Sequence, residues 1–159
     1  MRAYADSSFI LRLLTAEADS AAAIAEYRRI GLPPLFFLPL HALEVRNAIL
    51  QRAFHERRSA PSRERAHIAR VRDAALERLQ CFLARRTLLD VALDMDAVVE
   101  RATDLAIAHT ERLGTRAIDL LHVASALALD SEVFLTTDER QARLAKAEGL
   151  KVVTAAAAS

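Results

Sequence analysis

Short apolar runs recur along the chain, each bounded by polar or turn-forming residues. Runs of this length without alternation are typical of strands buried on both faces of a parallel sheet. They predict five strands, the third of them the weakest, at residues 3–5, 35–38, 88–91, 133–136 and 150–153.

Between these runs, apolar residues recur with the spacing of amphipathic helices. Gly31 and Gly114 end two helical segments, and Pro39 opens another, which the 59–62 stretch ends. The predicted helices span residues 9–14 (capped by Ser7 and Ser8), 18–30, 39–57, 63–84, 95–113, 117–129 and 139–148. Strands alternating with helices predict a three-layer α/β/α fold around a mainly parallel sheet of four to five strands.

The composition fits a single folded domain. With 159 residues, 53% of them hydrophobic, the chain is long enough to bury a core. We expect one domain over residues 1–154 and a frayed tail at 155–159. Only 5% of the residues are aromatic and none is Trp, which argues against base stacking as the main mode of nucleic-acid binding. The net charge of +1 gives no overall basic field.

The sequence also favours the cytoplasm. The single Cys81 cannot form an internal disulfide, as is usual in a reducing compartment. The N-terminus does not resemble a signal peptide, and no apolar run approaches the ~20 residues of a membrane span. We therefore expect a cytoplasmic protein without a membrane partner.

Two aspartates directly follow predicted strands. Asp6 ends the first strand and Asp138 comes just after the fourth, each before a helix. Each could be a helix N-cap. When Asp138 is considered by itself, this interpretation is favoured, with Gln141 completing a capping box. If the two strands are neighbours in a parallel sheet, however, both acids lie at the crevice where such sheets bind ligands.

Asp119 lies in the most apolar helix. Ten of the 13 residues from 117 to 129 are apolar, so the helix is packed nearly all round and a carboxylate on it needs compensation. The alternative is an acid stabilised by the dipole at the helix N-terminus. Glu44 is less distinctive, because a polar stripe with Asn47 and Gln51 is equally typical of a solvated face and of a cleft.

The histidines and the cysteine do not indicate a zinc site, since no paired spacing of metal ligands is present. His122, one turn after Asp119, could be a ligand or a proton carrier, but packing in the core is favoured. Cys81 has no activating basic pair in its helix and is interpreted as a small core residue.

Four segments together resemble PIN-domain ribonucleases, and most closely the VapC-type toxins of bacterial toxin–antitoxin pairs. The segments are YADSSFI (4–10), LHALEVRNAI (40–49), RAIDLLHVASAL (116–127) and FLTTDERQARLA (134–145). The order and spacing match, and the resemblance extends from residue 2 to about 153.

The resemblance implies a metal-dependent endoribonuclease with the catalytic residues Asp6, Glu44, Asp119 and Asp138. Asp6 and Asp119 would hold the principal ion, Mg²⁺ or Mn²⁺, while the other two acids complete the pocket or orient the attacking water. It further implies supporting hydroxyl groups from Ser7, Ser8 and Thr136, and products with 5′-phosphate and 3′-hydroxyl ends.

The resemblance also implies partners: an RNA substrate, a cognate antitoxin protein and a second copy in a homodimer. The stretch from Gln51 to Arg86 is longer and more arginine-rich than a compact member needs. Within it, the 52–72 segment carries seven arginines against two glutamates. These arginines either form a solvated face with pairs such as Arg52–Glu56 or in part grip RNA. Two alternatives stay open: a housekeeping PIN nuclease of RNA processing, and a PIN-like module that binds without cutting.

Overall fold

The predicted strands pair in a single parallel sheet. The computed structural model describes residues 1–17 and 19–155. The strands are β1 Ala3–Ala5, β2 Leu35–Phe37, β3 Leu88–Asp90, β4 Val133–Thr136 and β5 Lys151–Thr154. Their order is β3-β2-β1-β4-β5, and every neighbouring pair is parallel.

Seven α-helices cover the two faces of the sheet in the described part of the chain. They are α1 Ser7–Leu14, α2 Ser20–Arg29, α3 Pro39–Ser59, α4 Arg65–Ala84, α5 Met95–Leu113, α6 Ala117–Ala128 and α7 Glu139–Ala147. A short 3₁₀ turn, Ser62–Glu64, precedes α4. The predicted three-layer α/β/α fold is confirmed.

Alternate residues of the central strand face two separate cores. Ala3 and Ala5 pack with buried residues of α1 to α4, whereas Tyr4 packs with those of α5, α6 and α7. Tyr4 stacks on Phe134 of β4, with ring centroids 5.6 Å apart. Both faces of β1 are therefore fully buried, which explains why its sequence is a continuous apolar run rather than an alternation.

The strand order places a crevice between β1 and β4. From β1 the chain moves outward through β2 to β3, then returns across the sheet to β4 on the other side of β1. In open parallel sheets, ligands bind outside the carboxyl ends of the strands at such a reversal. Asp6 leaves β1 here, and its N–H donates to the carbonyl of Leu135 at 2.9 Å. The first and fourth strands are therefore neighbours, which is the condition under which Asp6 and Asp138 lie at the same crevice.

Element ends coincide with the predicted ones or differ by at most two residues, as is usual for fraying termini. Residues 156–159 of the predicted tail, and Ala18 at the predicted start of the second helix, lie outside the described residues. Ala155, assigned to the tail, is instead buried in the core beside β5. No helix of the described residues is long and apolar enough to cross a membrane.

The interpretation of Cys81 as a core residue is wrong, because its side chain is exposed. The buried side of α4 carries Ile68, Ala75 and Leu79. Cys81 follows Leu79 by two positions, about 200° around the helix, and therefore faces away from the core.

Candidate active site

The four predicted acids meet at the carboxyl edge of the sheet. Asp6 follows β1, Asp138 follows β4, Glu44 lies near the start of α3 and Asp119 in the first turn of α6. Hydrogen bonds through Thr136 and Arg116 connect Asp6, Asp138 and Asp119. Among the described residues, Glu44 is coupled to these three acids by the charges of Arg116 and His122 rather than by hydrogen bonds. The structure thus brings all four acids to the crevice and three of them into one hydrogen-bond network.

Asp6 is fully buried and caps α1. Its Oδ1 accepts from the N–H of Phe9 at 2.8 Å and from the hydroxyl of Ser8 at 2.7 Å. The expectation that Ser7 and Ser8 cap this helix is therefore wrong, since the carboxylate takes that place. Burial raises the pKa of the Asp6 carboxyl, even though the charge of His122 and these hydrogen bonds act in the opposite direction.

Thr136 links Asp6 to Asp138. Its hydroxyl donates to Asp6 Oδ2 at 2.6 Å and accepts from the N–H of Asp138 at 2.9 Å. Asp138 in turn caps α7 by accepting from the N–H groups of Arg140 and Gln141, as predicted. The reciprocal half of the predicted capping box is absent among the described residues, where Gln141 Oε1 is buried without a hydrogen-bond partner.

We expect Thr136→Val to lower the free energy of unfolding by about 1.5–3 kcal/mol, the usual contribution of a hydrogen bond to a charged group. Valine has the same shape but leaves Oδ2 of a buried carboxylate without this donor. Thr154→Val is the matched control, because Thr154 pairs with Thr136 in register on β5 and is exposed. Urea denaturation of both variants measures the effect. Equal stability of the two would contradict this role of the hydroxyl.

Glu44 is held by two donors from different elements. The hydroxyl of Ser7 donates to its Oε2 at 2.8 Å, and His122 Nε2 lies 2.6 Å from the same oxygen. Burial raises the pKa of Glu44, but the hydrogen bond and charge of His122, with help from Ser7 and Arg116, outweigh it, so the pKa lies below its ordinary value. The side chain is 28% exposed, so it lines the cleft rather than a solvated outer face.

His122 is buried, as predicted, but it also makes polar contacts on both ring nitrogens. Its Nδ1 lies 2.8 Å from the hydroxyl of Tyr4, which belongs to the core. A chain of hydrogen bonds therefore runs from the core through His122 to Glu44. This chain fixes the orientation of Glu44 from within the protein.

Asp119 is fully buried and receives its compensation from Arg116, one turn earlier. The backbone N–H of Arg116 donates to Asp119 Oδ2 at 2.9 Å, and the guanidinium donates to both carboxylate oxygens at 3.2 Å. Nη2 also donates to Asp138 Oδ2 at 3.2 Å. Burial raises the pKa of Asp138, but hydrogen bonds from Arg140 and Gln141 outweigh it and bring it below its ordinary value.

A model of the PIN domain family matches residues 3–147, a range that contains all four acids. The chain belongs to the PIN domain family. PIN domains are generally nucleases, hence hydrolases, and typically bind divalent metal ions. No curated protein matches the chain.

The donor chemistry of this PIN site fits a hard divalent cation. Carboxylate and hydroxyl oxygens, which the four acids and their serine and threonine neighbours supply, are the ligands that Mg²⁺ prefers. Nevertheless, no three His, Cys, Asp or Glu side chains of the described residues are arranged as a ready metal cluster. The acids hold protein donors instead, most directly the guanidinium of Arg116.

Sequence reasoning missed two residues of this PIN site. Arg116 carried a signal, because it precedes Asp119 by three positions and can pair with it across one helical turn. His41 carried none. Its Nδ1 accepts from the N–H of Leu38 at 3.0 Å and its Nε2 donates to the carbonyl of Ala5 at 2.9 Å. His41 therefore connects the last residue of β1, Ala5, which directly precedes Asp6, to the start of α3. Burial lowers the pKa of His41 to about 3, so the ring stays neutral in this role.

Proposed function

We propose that this PIN domain is a divalent-metal-dependent endoribonuclease and that it acts as the toxin of a toxin–antitoxin pair. The observation that supports the nuclease most is that Asp6, Glu44, Asp119 and Asp138 lie at one crevice, where Thr136 and Arg116 connect three of them and the charge of Arg116 also acts on Glu44. Carboxylates gathered in one crevice repel each other unless cations compensate them. Mg²⁺ or Mn²⁺ is a compensating ion that also promotes phosphodiester hydrolysis.

In the proposed reaction, Asp6 and Asp119 hold the principal ion. When bound, such an ion polarises the phosphodiester and makes bound water a stronger nucleophile. Thr136 and Ser8 keep Asp6 in one orientation through their hydroxyl groups.

Glu44 and Asp138 stay partly exposed to solvent at the same edge, with side chains 28% and 22% exposed. Both carboxyls have a lowered pKa and are therefore ionised at neutral pH. Ionised carboxylates can accept a hydrogen bond from the attacking water and orient it toward phosphorus. Since Ser7 and His122 hold Glu44 rigidly, Glu44 is better suited to this role than Asp138.

The substrate phosphate meets positive charge at the cleft itself. Arg116 and Arg140 both contact Asp138, and their side chains are 56% and 38% exposed. Of the arginine-rich 52–72 segment, Arg52 and Arg57 lie about 12 Å and about 20 Å from Glu44 along α3. Arg52 forms the predicted pair with Glu56 and a second one with Glu17, which favours a structural role for this arginine.

The toxin assignment is supported by the resemblance to VapC-type toxins, whose four matching segments are distributed over nearly the whole chain. A protein partner, either an antitoxin or a second copy, is supported by apolar side chains left exposed on two helices. On α3 these are Leu43, Leu50 and Phe54, spaced along one face, and on α5 they are Val99 and Ile107.

The test is an RNA cleavage assay with the purified protein. Single-stranded RNA is incubated with Mg²⁺, with Mn²⁺, or with a chelator. Cleavage that requires an ion and leaves 5′-phosphate and 3′-hydroxyl ends is the expected result. Undiminished cleavage in the chelator would contradict metal dependence. A metal-induced rise in melting temperature without cleavage would favour a module that binds RNA or a partner without cutting.

A further inference from the structure

The guanidinium of Arg116 lies where the acids of the cleft converge. It donates to both oxygens of Asp119 and, through Nη2, to Asp138, while its charge also acts on Glu44. Arg116 therefore touches two of the acids and influences a third. Arg140, the other arginine paired with Asp138, reaches it only at 3.5 Å and forms no ion pair with Asp119 among the described residues.

A divalent ion bound at Asp119 needs the carboxylate lone pairs and the negative charge that the Arg116 guanidinium occupies. Both Asp119 oxygens accept from the guanidinium, and one also accepts from the Arg116 N–H. Two cations within a few ångströms of each other repel strongly in a partly buried site. The ion and the guanidinium therefore compete for Asp119.

The structure leaves Arg116 free to move away. Its side chain is 56% exposed, so it can turn into solvent without breaking core packing. Asp119 would keep its place, because the backbone N–H of Arg116 still donates to it as the cap of α6. The carboxylate is thus held by the backbone, and only its counter-charge is exchangeable.

We propose that Arg116 is the resident cation of the cleft, which positions Asp119 and Asp138 in the metal-free protein and is displaced by the divalent ion. This inference rests on the proposed function, since it takes Asp119 as a metal ligand. It also explains why the described acids form no ready metal cluster.

The test is a titration of Mn²⁺, and separately of Mg²⁺, into metal-free protein by calorimetry, without RNA. We expect Arg116→Gln to tighten Mn²⁺ binding on the order of tenfold, the factor that corresponds to one hydrogen-bonded charge pair. Its melting temperature should be lower than that of the wild type in chelator and should rise more when Mn²⁺ is added. Arg140→Gln is the matched control and should bind Mn²⁺ within about twofold of the wild type.

Unchanged or weaker Mn²⁺ binding by Arg116→Gln would overturn the inference, because a purely structural clamp predicts that result. Equal tightening by Arg140→Gln would also overturn it, since general electrostatics would then suffice. If Arg116→Gln does not fold, Arg116→Lys is measured instead. The lysine keeps the positive charge but not the paired N–H donors of the guanidinium, so we expect a smaller tightening of Mn²⁺ binding. No tightening by Arg116→Lys would contradict the inference. A wild-type protein that binds neither ion would instead refute the proposed function.

Discussion

Asp6→Asn is expected to reduce RNA cleavage by roughly a thousandfold or more, because Asp6 is proposed as a metal ligand and such a ligand supports several kcal/mol of transition-state stabilisation. Asparagine has the same shape but no charge to hold the ion. Its carbonyl oxygen can still accept from the N–H of Phe9 and the hydroxyl of Ser8, and its amide can donate to Thr136. The change therefore removes the charge while the cap of α1 is preserved.

The stability of this variant separates loss of chemistry from loss of fold. Burial raises the pKa of Asp6 above its unfolded value, so its contribution to stability is present at low pH and is lost as the pH rises through the folded-state pKa. Asparagine does not titrate and avoids that loss. Asp6→Asn should thus be at least as stable as the wild type at neutral pH, with no advantage below about pH 4.

Asp94→Asn is the matched control for the cleavage measurement. Asp94 caps α5 by accepting from the N–H groups of Asp96 and Ala97, as Asp6 caps α1, but it has no hydrogen bond to the four acids among the described residues. Single-turnover cleavage rates of the two variants are compared in Mg²⁺. Full activity of Asp6→Asn, or equal losses in both variants, would contradict the role of Asp6 as a metal ligand.

The sheet could be predicted because its strands are buried on both faces and read as apolar runs. Tyr4 and its two alanine neighbours show the limit of this reasoning, since the pattern identifies a buried strand but not which core each side chain enters. Helix ends were predicted least well where capping decides them. Asp6 rather than the following serines caps α1, because an ionised carboxylate accepts a helix N–H more strongly than a hydroxyl does.

The placement of the acids at one edge followed from topology, but their partners did not. Spacing within a helix could have indicated Arg116, which lies one turn from Asp119. By contrast, the contacts of Glu44 come from Ser7 and His122, which are distant in sequence and meet only in the folded chain. Such long-range hydrogen bonds leave no local pattern. For this reason a cleft-lining and a solvated Glu44 were indistinguishable in the sequence.

Expression of the wild-type chain in a bacterial host is expected to arrest growth within a few generations. A ribonuclease turns over, so each molecule cuts many RNA chains, and a toxin is expected to be harmful when its antitoxin is absent. Colony counts and optical density after induction measure the effect. Under the proposed function, co-expression of the cognate antitoxin should restore growth by covering the protein.

The same host distinguishes the three functions when the matched variants are included. Asp6→Asn should permit growth, whereas Asp94→Asn, which preserves the four acids, should arrest it as the wild type does. Normal growth with a protein that cleaves RNA in the test tube would indicate a housekeeping nuclease. Arrest by Asp6→Asn at equal protein levels would show that toxicity does not come from cleavage, and the nuclease-toxin proposal would then be wrong.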